Sequence, residues 1–96
     1  MKRGRPYKEG LLQRLQDHGF AAEYLTAAAE DPEPAVYLHA LRMVAEARGM
    51  AEVAKAAGIP RESLYRALSP NGNPRWSTLS AILHATGMKL TVSRVV

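Results

Sequence analysis

Apolar positions recur at helical spacing through most of the chain and alternate only near its end. Leu11, Leu12 and Leu15 share a face within Glu9–His18, and Gly19 reads as the stop of that first helix. Phe20, Tyr24, Leu25 and Ala28 predict a second helix over Phe20–Glu30. The run Glu30-Asp31-Pro32-Glu33-Pro34 breaks the pattern, and there Asp31 can cap a new helix with Pro32 at its first position. That helix is expected to continue to Arg48, bury Tyr37 or Leu38 with Leu41, Val44 and Ala45, and end at Gly49.

The stretch Met50–Ser69, MAEVAKAAGIPRESLYRALS, reads as two short helices joined by a tight turn at Gly58. The first, Ala51–Ala57, turns Val53, Ala54 and Ala57 inward. The second opens at Ile59-Pro60 and runs to about Leu68, with Leu64, Ala67 and Leu68 inward. Glycine tolerates the positive φ of such a turn, and proline suits a helix's first turn because its missing N–H has no partner there. Ala54 is small where two crossing helices approach most closely. The constellation is that of a helix-turn-helix, whose second helix lies in the DNA major groove.

Pro70-Asn71-Gly72-Asn73-Pro74 is dense in turn formers, and Asn73-Pro74 can start the next helix, packed by Trp76, Leu79, Ile82 and Leu83 and ended by Gly87. Met88–Val96, MKLTVSRVV, alternates instead: Leu90 and Val92 lie on one side, Thr91 and Ser93 on the other. A lone strand has unpaired backbone groups and needs a partner. Its own copy in a second chain is the simplest one, which agrees with the dimeric habit of helix-turn-helix proteins. The expected architecture is mainly α: a basic flexible arm over 1–8, then a single domain over 9–96. That domain is a five- to six-helix helix-turn-helix unit, lambda-repressor-like, with a short C-terminal β-strand using Leu90 and Val92 as a homodimer interface.

Charge sharpens this reading. Of 96 residues 47% are apolar, much of it alanine, which suits closely packed helices. The net charge of +4 divides as +4 over 1–8, −4 over 9–49 and +4 over 50–96. The last segment holds Lys55, Arg61, Arg66, Arg75, Lys89 and Arg94 against Glu52 and Glu62, which suggests a nucleic-acid surface in the C-terminal half. No cysteine is present, so disulfides and thiolate metal sites are excluded and a reducing cytoplasm fits. No apolar run follows Met1-Lys2-Arg3 and nothing approaches transmembrane length, so neither a signal peptide nor a membrane role is expected. His18, His39 and His84 lie in separate segments without metal-ligand spacing, and neither a Gly-rich phosphate loop nor a serine nucleophile elbow occurs. No enzyme, metal or cofactor is therefore expected.

On the second helix of the pair, Arg61, Glu62, Tyr65 and Arg66 fall opposite Leu64 and Leu68. Arg61 can pair with a guanine edge, and Glu62 can accept from a cytosine amino group or simply pair with Arg66 one turn on. Tyr65 can stack on a thymine methyl or bond a phosphate, or else only cover the core. Ser63, Ser69, Asn71 and Asn73 can donate to phosphates, contacts that set register rather than sequence, and Lys55 faces outward as a backbone contact or a solvated residue. Arg3-Gly4-Arg5-Pro6 resembles the core of an AT-hook, in which Arg3 and Arg5 follow a narrow minor groove, against the plainer reading of a solvated terminus.

Ala47-Arg48-Gly49-Met50, Ala54 through Gly58, Arg61-Glu62-Ser63-Leu64-Tyr65-Arg66-Ala67-Leu68-Ser69-Pro70 and Gly72-Asn73-Pro74 together resemble the addiction-module antidote proteins, antitoxins of the Xre/Cro helix-turn-helix superfamily. The likeness runs from about Ala21 to Leu90. It implies a type II toxin–antitoxin module in bacteria, in which a cytoplasmic, nucleoid-associated dimer represses the shared promoter on double-stranded DNA. The same dimer would neutralise a small basic toxin of the RelE/ParE type. Ala51-Glu52 stands where family members often carry Thr or Ser then Gln, so the phosphate contact of that Gln does not carry over, and the segment before Ala21 lies outside the likeness. The acidic segment 9–49 offers charge complementarity to a basic toxin or merely completes the helical core. A stand-alone Xre-type regulator with no toxin would share the same helix-turn-helix.

Overall fold

The longest helix, Pro34–Arg48, buries Leu38, Ala40, Leu41, Met43, Val44 and Ala45, and the rest of the chain is laid around it. The computed structural model describes the backbone of residues 4–96 and the side chains of residues 7–96. Six helices follow in order: α1 Gly4–Arg14, α2 His18–Ala29, α3 Pro34–Arg48, α4 Met50–Ala57, α5 Arg61–Ala67 and α6 Trp76–Ala85. Helices α1, α2 and α4 pack on α3, while α5 and α6 pack on α4. The apolar stripe of each helix thus meets one continuous core, in which Leu15, Leu41, Leu64, Leu68, Ile82 and Leu83 are fully buried. Each such side chain contributes about 1.5–3 kcal/mol relative to exposure.

Helix ends are where local chemistry overrides the sequence reading. Gly19 does not stop a helix; it lies in the first turn of α2, because Asp17 caps that helix and starts it at His18, two residues before Phe20. The Asp17 carboxylate accepts from the Phe20 N–H at 2.8 Å, a cap worth about 0.5–2 kcal/mol, comparable to the roughly 1 kcal/mol cost of an internal glycine. Likewise α3 starts at Pro34, not Pro32. Asp31 Oδ1 accepts from the Glu33 N–H at 2.9 Å, and this side-chain turn delivers Pro34 to the first helical position. Helix α1 includes residues 4–8, where the sequence predicts an arm, and Lys8 Nζ meets Glu46 Oε1 of α3 at 3.2 Å. The side chain of Arg5, and Arg3 altogether, lie outside the described residues.

Two expectations fail in the C-terminal third. Trp76 is 66% exposed instead of packed, because it opens α6 beside Ala56 and Ser80, while Ile82 and Leu83 carry the inward face. Met88–Val96 forms no strand, and no strand occurs among the described residues. A strand exists only through ladder hydrogen bonds to a neighbour, and a single chain supplies none here. Leu90 and Val92 stand 43% and 100% exposed along that tail.

Arg48 fastens the two ends of the domain together. Its Nη1 donates to the Leu15 carbonyl at 2.7 Å and its Nε to the Thr86 carbonyl at 3.4 Å, so the end of α1 and the end of α6 hang on one guanidinium at the end of α3. Thr86 is itself buried, with Oγ1 donating to the Leu83 carbonyl at 2.7 Å.

Candidate nucleic-acid interface

Three residues, Gly58, Ile59 and Pro60, separate α4 from α5. Gly58 adopts φ 74°, ψ 30°, the left-handed region that a side chain resists. The Gly58 N–H then donates to the Lys55 carbonyl at 3.1 Å and the Ile59 N–H to the Ala54 carbonyl at 3.0 Å, which closes the helix end with backbone alone. Pro60, extended at φ −62°, caps α5 from just outside it rather than sitting in its first turn. Val53 and Ala54 of α4 and Leu64 and Leu68 at α5 are buried, so α5 is seated by the side chains the sequence reading assigns to that task.

That seating leaves a defined outer face. Arg61, Glu62 and Arg66 are exposed, Ser63 and Tyr65 are half-buried, and Lys55 stands exposed on α4. Among the described residues the ion pairs join Glu46 to Lys8 and to Arg42, so Glu62 and Arg66 are not tied to one another. The Tyr65 ring packs against the core edge, with the Arg42 Cζ 5.2 Å and the Arg61 Cζ 5.8 Å from its centroid, both within cation–π range.

Behind α5 the chain doubles back tightly. The Gly72 N–H donates to the Ser69 carbonyl at 2.8 Å, and a Cβ on Gly72 would run into the backbone carbonyl oxygen of Ala67, which cannot swing aside as a side chain could. This close approach makes a shallow cleft of about 400 Å³ that brings together Ser63, Arg66, Ser69, Asn71 and Asn73. Lys55, Arg61, Glu62 and Tyr65 lie outside it. Ser69 is half-buried and its hydroxyl donates to the Arg66 carbonyl at 2.9 Å, so that proton is committed to closing α5.

Arg42 is the residue that reading the sequence misses. Its spacing from Glu46 marks an ordinary helix pair, and only the fold, with α3 and α5 both packed on α4, brings it over Tyr65. Arg75, exposed at the cap of α6, is a second cation beside the cleft-forming loop. Elsewhere, burial pushes the phenols of Tyr24 and Tyr37 above their ordinary value of 10.0, with Tyr7 adding to the effect at Tyr24; neither belongs to this face. His18, His39 and His84 are each exposed on a different helix, and no cluster of three or more metal-ligating side chains occurs among the described residues. No helix among them is long and apolar enough to cross a membrane.

A family profile described as "probable addiction module antidote protein" matches residues 9–94. The match reaches well before Ala21, so it takes in part of α1 and the start of α2, which the resemblance read from motifs alone leaves out. An uncharacterized protein of Haemophilus influenzae is 37% identical over 71 residues, 74% of this chain and 73% of that protein. No solved structure matches the chain.

Proposed function

Since the chain belongs to the family of probable addiction module antidote proteins, we propose that it is the antitoxin of a type II toxin–antitoxin module and a sequence-specific repressor. In this reading α4 and α5 form the helix-turn-helix of an Xre/Cro-type domain, and α5 enters the major groove of double-stranded DNA. Arg61 pairs with a guanine edge, Glu62 accepts from a cytosine amino group, and Tyr65 contacts a thymine methyl or a phosphate. Arg66, Ser63, Asn71, Asn73 and Lys55 hold the backbone and set register. Ser69 is left out of the phosphate contacts because its proton is already spent on Arg66. The observation that carries the reading is the outer face of α5. Arg61, Glu62 and Arg66 stand in solvent without an ion-pair partner among the described residues, above a fully buried Leu64.

The tail Met88–Val96 pairs with its copy across a two-fold axis, which covers Leu90 and Val92 and sets two α5 helices about 34 Å apart, one turn of duplex. The toxin is a small basic protein of the RelE/ParE type. Glu23, Glu30, Asp31 and Glu33, exposed on α2 and the turn after it, supply the complementary charge. Both activities belong to the bacterial cytoplasm, at the nucleoid. Selection from a random duplex pool at fixed salt tests the DNA part. The expected product is a pair of half-sites about one turn apart, with log affinity falling against log salt by about 0.9 per phosphate neutralised. A pool that returns no motif contradicts it.

A further inference from the structure

Two guanidinium groups from different helices approach the Tyr65 ring. Arg61 lies one turn earlier on α5, with Cζ 5.8 Å from the ring centroid; Arg42 reaches across from α3, with Cζ at 5.2 Å. Arg42 is itself restrained. Its side chain is 33% exposed, and Nε donates to Glu46 Oε2 at 3.1 Å. Glu46, at 18% exposure, also takes Lys8 Nζ of α1 on its other oxygen at 3.2 Å. One chain of contacts therefore runs from α1 through α3 to α5: Lys8, Glu46, Arg42, Tyr65, Arg61.

We propose that Arg42 is a positioning residue for DNA recognition: anchored by Glu46, it fixes the Tyr65 ring against α3, and the ring restricts the orientations of the Arg61 guanidinium. The inference rests on the reading of α5 as the DNA-contacting helix. Arginine carries large rotamer freedom, and a fork already ordered before binding loses less on forming its paired hydrogen bonds. Arg42 suits this role better than a phosphate contact because its Nε is engaged by Glu46 and its side chain is largely covered. Glu46 matters for the same reason. It offsets the repulsion between Arg42 and Lys8 and holds the Arg42 side chain by its Nε within reach of the ring.

The test compares wild-type protein with Arg42→Gln, Arg42→Lys, Glu46→Gln and Tyr65→Leu, each checked for unchanged thermal melting or read only where folded. In the free protein, the Arg61 δ-protons should carry an upfield ring-current shift in NMR spectra. Tyr65→Leu should abolish it, Arg42→Gln should weaken it, and Arg42→Lys should keep most of it. On the selected duplex, Arg42→Gln should reduce discrimination at the base pair read by Arg61 by roughly two- to tenfold with the salt slope unchanged, and Glu46→Gln should do the same more weakly. Combined with Arg61→Ala, Arg42→Gln should add almost nothing. A salt slope that falls by about one with base ranking intact makes Arg42 a phosphate contact and overturns the inference. So does an Arg61 shift and ranking that ignore Arg42 altogether. Wild-type protein that binds no duplex fails the DNA reading instead, an outcome separate from the NMR result on the free protein.

Discussion

Helices α1 and α2 are separated by three residues, Leu15-Gln16-Asp17, and α4 and α5 by three others, Gly58-Ile59-Pro60. The first connection is closed by side chains: Asp17 caps α2, and Arg48 reaches from α3 to take the Leu15 carbonyl. The second is closed by backbone, through a left-handed Gly58 and the Ile59-to-Ala54 hydrogen bond. Their exposed charges differ by a smaller margin: Glu9, Asp17 and Glu23 stand with Lys8 and Arg14 on one pair, and Lys55, Arg61 and Arg66 with Glu52 and Glu62 on the other. A turn closed by its own backbone joins α5 to α4 without a side chain from elsewhere, while Leu64 and Leu68 tie it into the shared core. The N-terminal pair depends on α3 for its attachment. A backbone-closed turn and three exposed cations coincide on the same pair, which suits the base reading proposed for α5.

The largest expected effect comes from the shared core. Leu64→Ala and Leu15→Ala, each removing a fully buried side chain, should each cost about 2–5 kcal/mol of stability by denaturant melting. Equal losses would mean both pairs are welded to one core. A much smaller loss at Leu15 would mean that the N-terminal pair is held by Arg48 more than by packing. Arg48→Met should then cost about 1.5–3 kcal/mol, the scale of hydrogen bonds to a charged group, and hydrogen exchange should rise first in α1 and at the end of α6. Duplex affinity of the folded fraction should hardly move.

The turns themselves give smaller effects of distinct kinds. Gly58→Ala should cost about 1–2 kcal/mol through backbone strain and weaken DNA binding with it, since α5 is displaced. Asp17→Ala should cost about 1 kcal/mol and leave DNA binding intact. Smallest is the pH effect. Burial raises the Tyr24 and Tyr37 phenols above 10.0, so their contribution is complete below that pH and is lost as pH climbs through the raised values. Alkaline titration followed by hydrogen exchange should therefore loosen the α2–α3 region.

The same contrast decides what could be read from the sequence. The boundaries of α4 and α5 fall within one or two residues of expectation because Gly58 and Pro60 act locally and their chemistry is visible in the string. The start of α2 is harder to read because Gly19 and Asp17 give opposed signals two residues apart, and the carboxylate wins by a hydrogen bond that only geometry shows. Trp76 misleads for a tertiary reason: periodicity assigns a face but not how far the neighbouring helix extends. The alternation in Met88–Val96 is genuine, yet a ladder needs a second chain. Arg42 is illegible for the complementary reason, since nothing along the chain links it to Tyr65 across α3 and α5.

The central claim is that α5 reads bases through Arg61. The measurement closest to it compares the duplex motifs selected by wild-type protein and by Arg61→Ala at the same salt. The account predicts that one symmetric base pair per half-site loses its preference, at a cost of about 1–3 kcal/mol, while every other position keeps its ranking. An unchanged motif bound with uniformly lower affinity would make Arg61 a phosphate contact and contradict the claim.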